Sequence, residues 1–161
     1  MHVDDCADWV QDAYTEALET SPLSAKKERS VYFANRAACF TYLEEYDEAA
    51  ADCSNALDLD GGYVKAYLRR ANAFEKLEEY DKGLADAQKV VELDPGNATA
   101  KAYITRIEPL AEKKREELKE EMVEKLKDLG NSLLGNFGLS LDNFKAEKDP
   151  NTGSYSIQFN K

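Results

Sequence analysis

The side chains best placed for chemistry in this sequence are an amide, an ammonium and a guanidinium at a regular spacing. Asn35 and Arg69 lie 34 residues apart, and Lys65 precedes Arg69 by four residues. If this segment is helical, Lys65 and Arg69 share one helix face. The set suits a carboxylate, because Asn and Lys donate single hydrogen bonds and Arg donates a fork. The alternative is that both cations only solvate a helix face.

Neither catalysis nor a metal or cofactor site is predicted. The sole histidine is His2, so no histidine base or triad is available. A glycine-rich phosphate loop is also missing from the sequence. Cys6, Cys39 and Cys53 lack metal-ligand spacing, which indicates free thiols in a reducing compartment. We expect Cys39 and Cys53 to be small buried residues. The sequence predicts a binding protein, not an enzyme.

An internal repeat predicts the elements that position the three polar groups. Residues 30–63 match residues 64–97 at an offset of 34, which aligns Tyr46 with Tyr80. This period is the signature of the tetratricopeptide repeat. We therefore predict an all-α, right-handed superhelical array of helix-turn-helix repeats, in which the first helix (A) of each repeat lines a concave groove. The small residues expected at helix contacts are Ala37, Ala49, Ala56, Ala71 and Gly83, and the possible groove neighbours of the polar set are Thr41, Leu68, Asn72 and Lys76.

The array is predicted to occupy residues 1–108. The second repeat has helix A at about 28–43 and helix B at 46–59, and the third has them at 64–77 and 80–93. The first repeat, about 1–25, supplies only a helix B over 7–18. A shortened N-terminus and a genuine array of two and a half repeats both remain open. We favour the first, because stacked repeats usually need three or more for stability.

The chain after the repeats changes character twice. Residues 98–108 are predicted to cap the array, and Pro109 either kinks this helix or begins a long charged helix over 109–134. One helix face there carries Leu118, Met122, Leu126, Leu129 and Leu133. This face is expected to pack on the array, with a partner-binding or dimerising helix as the alternative. The tail, 135–161, alternates with period two at its end and predicts a hairpin around a turn at 149–153.

Composition limits the classes of partner. The net charge of −11 argues against nucleic acid and against anionic membranes. The chain also lacks an apolar run of membrane-spanning length and a recognisable secretory signal. We therefore expect a cytoplasmic protein whose partner is another protein.

The stretches SVYFANRAAC and VKAYLRRANAFEKL resemble the second and third repeats of carboxylate-clamp tetratricopeptide domains. A second likeness, to one member of the tetratricopeptide repeat family, extends past the repeats: residues 116–159 resemble the C-terminal region of that member, and the likeness covers the chain from Lys26 to its end. The resemblance to the clamp domains sets the expectation for function. It implies an adaptor that binds the acidic tails, ending Glu-Glu-Val-Asp, of the large cytosolic heat-shock chaperones. It assigns Asn35, Lys65 and Arg69 to the clamp, whereas a Lys and an Asn of the family's first A helix have no counterpart here. Two alternatives are a general scaffold, whose convex face or C-terminal helix binds a signalling or other protein, and an enzyme accessory.

Overall fold

The computed structural model describes residues 3–141, 144–148 and 155–159. The described part contains six helices followed by two short strands. These are α1 Val3–Thr20, α2 Lys26–Tyr42, α3 Tyr46–Leu59, α4 Val64–Lys76, α5 Tyr80–Leu93, α6 Ala98–Gly135, β1 Phe144–Lys148 and β2 Tyr155–Phe159. The chain forms two compact units, Met1–Glu112 and Lys113–Lys161. The predicted all-α repeat architecture is confirmed.

Tight turns of the same geometry join α2 to α3 and α4 to α5. Glu44 and Glu78, which are 34 residues apart, adopt left-handed φ angles of 62° and 56°. This conformation ends a helix by reversing the chain. The next amide then donates back into the preceding helix, from Glu45 to Phe40 and from Glu79 to Phe74, at 2.8 Å in both cases. The two repeats therefore share their turns as well as their helices.

Alanine allows the helices of each repeat to pack closely. The five small residues predicted at helix contacts are all buried. Around them lie three apolar clusters, built on Phe40 and Ala49, on Ala34 and Leu57, and on Leu84 and Ile107. Because these alanines are fully buried among packed side chains, larger residues would not fit at their positions.

A repeated ion pair fastens helix A to helix B. Arg36 donates two hydrogen bonds to Asp52, at 2.6 and 2.8 Å, and Arg70 donates two to Asp86, at 2.8 and 2.7 Å. Both aspartates are buried. The guanidinium of Arg36 also lies between the rings of Phe33 and Phe40, and that of Arg70 between Tyr67 and Phe74, at 5.6–5.8 Å from the ring centroids. Charge and aromatic packing therefore recur together in each repeat.

The hydrogen bonds made by Nη1 of Arg36 and Arg70 indicate that α1 is a helix B. Arg70 Nη1 donates to Ser54 Oγ on α3 at 2.9 Å, and Arg36 Nη1 donates to Thr15 Oγ1 on α1 at 3.0 Å. Thr15 on α1 therefore accepts from the arginine of the second repeat in the same way that Ser54 on α3 accepts from the arginine of the third. The prediction that the first segment supplies a helix B agrees with this contact.

Helix α6 begins at an amide cap and buries one face of its first four turns against the third repeat. Asn97 Oδ1 accepts a hydrogen bond from the amide of Ala100 at 3.0 Å. Tyr103, Ile107 and Ala111 then pack against a cluster that includes Leu84. The predicted segments 98–108 and 109–134 are continuous, because Pro109 lies inside a single helix. Burial of Ile107 before the proline and Ala111 after it holds the helix together where one backbone hydrogen bond is lost.

Gly83 provides the space in which Tyr103 docks. A Cβ at position 83 would lie under 3.0 Å from the Tyr103 hydroxyl and 3.1 Å from the Ala71 carbonyl oxygen. The hydroxyl donates to that same carbonyl at 2.7 Å. We expect Gly83→Ala to lower the free energy of unfolding by about 1–3 kcal/mol, because the added methyl overpacks this contact. Chemical denaturation measures the effect.

The control for this prediction is a double-mutant cycle. Tyr103→Phe removes the clashing oxygen, so Gly83→Ala should cost less in that background than in the native chain. An equal cost in both backgrounds would show that Tyr103 is not the group displaced.

The second unit turns back at the end of α6. The side-chain oxygen of Asn131 accepts hydrogen bonds from Ser140 Oγ and from the amide of Leu141, and the Leu141 side chain rests on Gly130. Gly130 lies inside α6, and its missing side chain leaves room for Leu141. Strands β1 and β2 pair antiparallel, with Phe144 opposite Phe159. The predicted turn at 149–153 lies outside the described residues.

Candidate peptide-binding groove

Helices α2 and α4 bring Asn35 and Arg69 into direct contact. Arg69 Nη1 donates to the Asn35 side-chain oxygen at 3.3 Å and to the carbonyl oxygen of Ala34. Both side chains are half-buried. Residues 34 apart thus meet across neighbouring A helices, as the spacing predicts. The contact fixes the amide of Asn35, because its oxygen is occupied and its NH2 group remains to donate elsewhere.

Lys65 lies one helical turn before Arg69 on α4 and is exposed. Among the described residues, no carboxylate forms an ion pair with Lys65 or Arg69. Arg36, Arg70 and Arg106 differ in this respect, since Asp52, Asp86 and Glu75 neutralise them. The groove face therefore presents two adjacent positive charges that are not balanced by a nearby acid.

The structure also distinguishes Asn35 and Arg69 from Arg36 and Arg70, the arginines that follow them by one position. Hydrogen bonding to Asp52 raises the pKa of Arg36 above its ordinary value, and Asp86 does the same for Arg70, although burial acts in the opposite direction. Both side chains are fully engaged within the array. Arg36 and Arg70 therefore face neighbouring helices of the array.

The four predicted groove neighbours differ in their surroundings. Leu68 is half-buried, and Asn72 and Lys76 are exposed on α4. Asn72 and Lys76 follow Lys65 by seven and eleven residues, which places all three on the same side of that helix. Thr41 donates to the Ala37 carbonyl of its own helix at 2.8 Å. Their part in binding remains a prediction.

Cys39 belongs to this face, although the sequence predicted only a small core residue there. It follows Asn35 by one turn and is half-buried. Burial raises the pKa of its thiol, while the nearby positive charge of Arg69 acts to lower it. The four-residue spacing from Asn35 was the signal that could have revealed this position.

Cys53, on α3, is fully buried, and its surroundings predict a loss of stability at alkaline pH. Burial raises the pKa of the thiol from 9.0 to about 12. Above pH 9 the unfolded chain loses the Cys53 proton while the folded chain retains it, so stability should fall as pH rises from 9 to 12. Cys53→Ala should flatten this part of the stability–pH profile, measured by denaturation at each pH. An unchanged slope would show that other groups cause the decline.

Within residues 3–141 and the two strands, no group of three or more acidic, histidine or cysteine side chains is arranged to hold a metal ion. None of the described helices is both long enough and apolar enough to cross a membrane.

Paired helices with the same turn geometry, repeated at a 34-residue offset, define a helical repeat protein. The family model of the tetratricopeptide repeat matches residues 64–97. The first such domain of Spaghetti (RPAP3), solved bound to the HSP90 peptide SRMEEVD, is 30% identical with a TM-score of 0.60, and the match covers 65% of this chain and 79% of that one. The chain belongs to the tetratricopeptide repeat family.

Two further relatives extend the comparison. The tetratricopeptide domain of Arabidopsis OM64 is 36% identical with a TM-score of 0.57, and the match covers 64% of this chain and 81% of that one. Protein unc-45 homolog B of Danio rerio is 41% identical over 58 residues, which is 36% of this chain. That match spans 6% of the unc-45 homolog, and the match to human TOM70 spans 9% of its length.

Proposed function

We propose that this chain is a non-enzymatic adaptor that binds the acidic C-terminal tail of a heat-shock chaperone between α2 and α4. The observation that carries the proposal is the pair of unbalanced charges, Lys65 and Arg69, beside the amide of Asn35. An array with net charge −11 would be expected to neutralise such cations internally, as it neutralises Arg36 and Arg70. Leaving two of them without an acid reserves them for an external carboxylate.

The binding mode follows from the hydrogen-bonding capacity that remains. Arg69 uses one terminal nitrogen on Ala34 and Asn35, so its other nitrogens can donate to a ligand. Lys65 adds an ammonium, and the NH2 group of Asn35 adds an uncharged donor. A terminal carboxylate has enough lone pairs to accept from all three. This arrangement is of the carboxylate-clamp type.

The relatives support the class of ligand. The Spaghetti domain was solved with an HSP90 peptide whose last three residues are Glu, Val and Asp. A tail of that kind ends in several carboxylates and suits a groove with unbalanced cations. Its long-range repulsion by the acidic array is screened beyond about 8 Å at physiological salt, so contacts within the groove decide the affinity. We place the protein in the cytoplasm, where such tails occur.

The test is calorimetric titration of SRMEEVD into the chain, with the peptide either free or amidated at its C-terminus. Only a clamp requires the terminal carboxylate. The free peptide should bind at least about tenfold more tightly, since one charge-assisted hydrogen bond contributes roughly 1.5–3 kcal/mol. Equal affinities would reject the clamp and favour the general scaffold, which recognises another surface of its partner.

A further inference from the structure

Helix α6 carries an exposed apolar face in the second unit. Leu118, Met122, Leu126, Leu129 and Leu133, here called the α6 stripe, are each 52–64% exposed. The stripe lies on the same helical face as Ala111, because Ala111 and Leu118 are seven residues, or two turns, apart. Ala111 is buried against the third repeat. One apolar face of α6 is therefore covered in its first part and open in its second.

The spacing of the α6 stripe is nearly symmetric about its centre. Counted from the point between Lys125 and Leu126, Leu118 and Leu133 are equally distant, and so are Met122 and Leu129. A contact between two identical surfaces related by a two-fold axis requires this self-complementarity. In an antiparallel pair of α6 helices, Leu118 would face Leu133 of the second copy, Met122 would face Leu129, and Leu126 would lie at the axis.

The balanced charge of this part of α6 also favours pairing with a second copy of the chain. Residues 113–134 contain six basic and six acidic side chains, so the full net charge of −11 lies elsewhere in the chain. Several charges along this segment are also paired within the helix, as in Glu121–Lys125 at 2.6 Å and Lys113–Glu117 at 3.5 Å. Two copies of the segment can therefore approach without net repulsion, whereas two arrays repel one another.

We propose that the α6 stripe is a homodimerisation surface, on which two copies of the chain pair through antiparallel α6 helices. The proposal does not depend on the peptide groove, since the stripe belongs to the second unit and shares no residue with the groove. Pairing would remove from water the face that the fold leaves exposed, which is the driving force expected for such a contact.

The first test is the concentration dependence of molecular mass by analytical ultracentrifugation. The mass should rise from 18.1 kDa towards twice that value as the concentration increases. Leu126→Glu places two carboxylates at the axis and should weaken dimerisation at least about tenfold. Lys127→Glu, at an exposed site two and a half turns after Leu118 and therefore on the opposite side of α6, makes a larger change of charge and should have little effect. A monomer at every concentration, or equal loss in both variants, would overturn the proposal.

The second test distinguishes the antiparallel arrangement from a parallel one. Leu118→Glu and Leu133→Lys should each reduce self-association, whereas their mixture should form a heterodimer. Only antiparallel pairing sets the new Glu against the new Lys and leaves a leucine pair at the other end. Circular dichroism should show unchanged helix content, because the replaced side chains are exposed. Failure of the mixture to associate while both variants keep their helix would reject the arrangement.

Discussion

Asp52→Ala should destabilise the array more than Gly83→Ala does. The substitution leaves the Arg36 guanidinium without its carboxylate in a site where only 18% of the side chain is exposed. Breaking a buried pair in this way costs about 3–5 kcal/mol, because the remaining charge is poorly solvated and has lost its carboxylate. That is a large part of the stability of an ordinary domain. Urea denaturation followed by circular dichroism measures the loss.

Two further variants test whether burial of the ion pair explains this loss of stability. Asp86→Ala should cost a similar amount, since Arg70 and Asp86 repeat the same geometry in the third repeat. Glu92→Ala breaks the exposed pair with Lys89 on α5 and should cost at most about 1 kcal/mol. If Glu92→Ala is as damaging as Asp52→Ala, burial is not what gives the repeated pair its importance.

Lys65→Ala should weaken binding of a free-acid chaperone tail by about tenfold or more. One charge-assisted hydrogen bond contributes roughly 1.5–3 kcal/mol, and each 1.4 kcal/mol changes the Kd tenfold. Since Lys65 is exposed and has no ion-pair partner among the described residues, its removal should leave the melting temperature unchanged. Calorimetry of the tail peptide against native and variant chains measures the change in Kd.

Lys76→Ala is the matched control for Lys65→Ala. Both are exposed lysines on α4, and Lys76 lies eleven residues farther along the same face. Its loss should weaken binding less, whereas Arg69→Ala should impair both binding and stability because Arg69 also joins α4 to α2. Equal effects of Lys65→Ala and Lys76→Ala would indicate general electrostatic attraction in place of a localised clamp.

The repeat boundaries could be predicted closely because their determinants are local. Helices α3 and α5 begin and end where the sequence predicts them, since aromatic, small and turn-forming positions recur every 34 residues. The same offset predicts that Asn35 and Arg69 are neighbours, and they are in contact. A period in sequence becomes a period in space when each repeat packs only on the next.

Only the tertiary structure decided the features that depend on contacts between residues unrelated by the 34-residue repeat. Arg69 and Arg70 are adjacent in sequence, and only the fold shows that Asp86 neutralises the second while no described acid pairs with the first. Helix α6 continues through Pro109 because burial on both sides compensates for one lost hydrogen bond. The sequence alone determined that the α6 stripe is apolar and helical. Only the tertiary structure shows that its five side chains are 52–64% exposed.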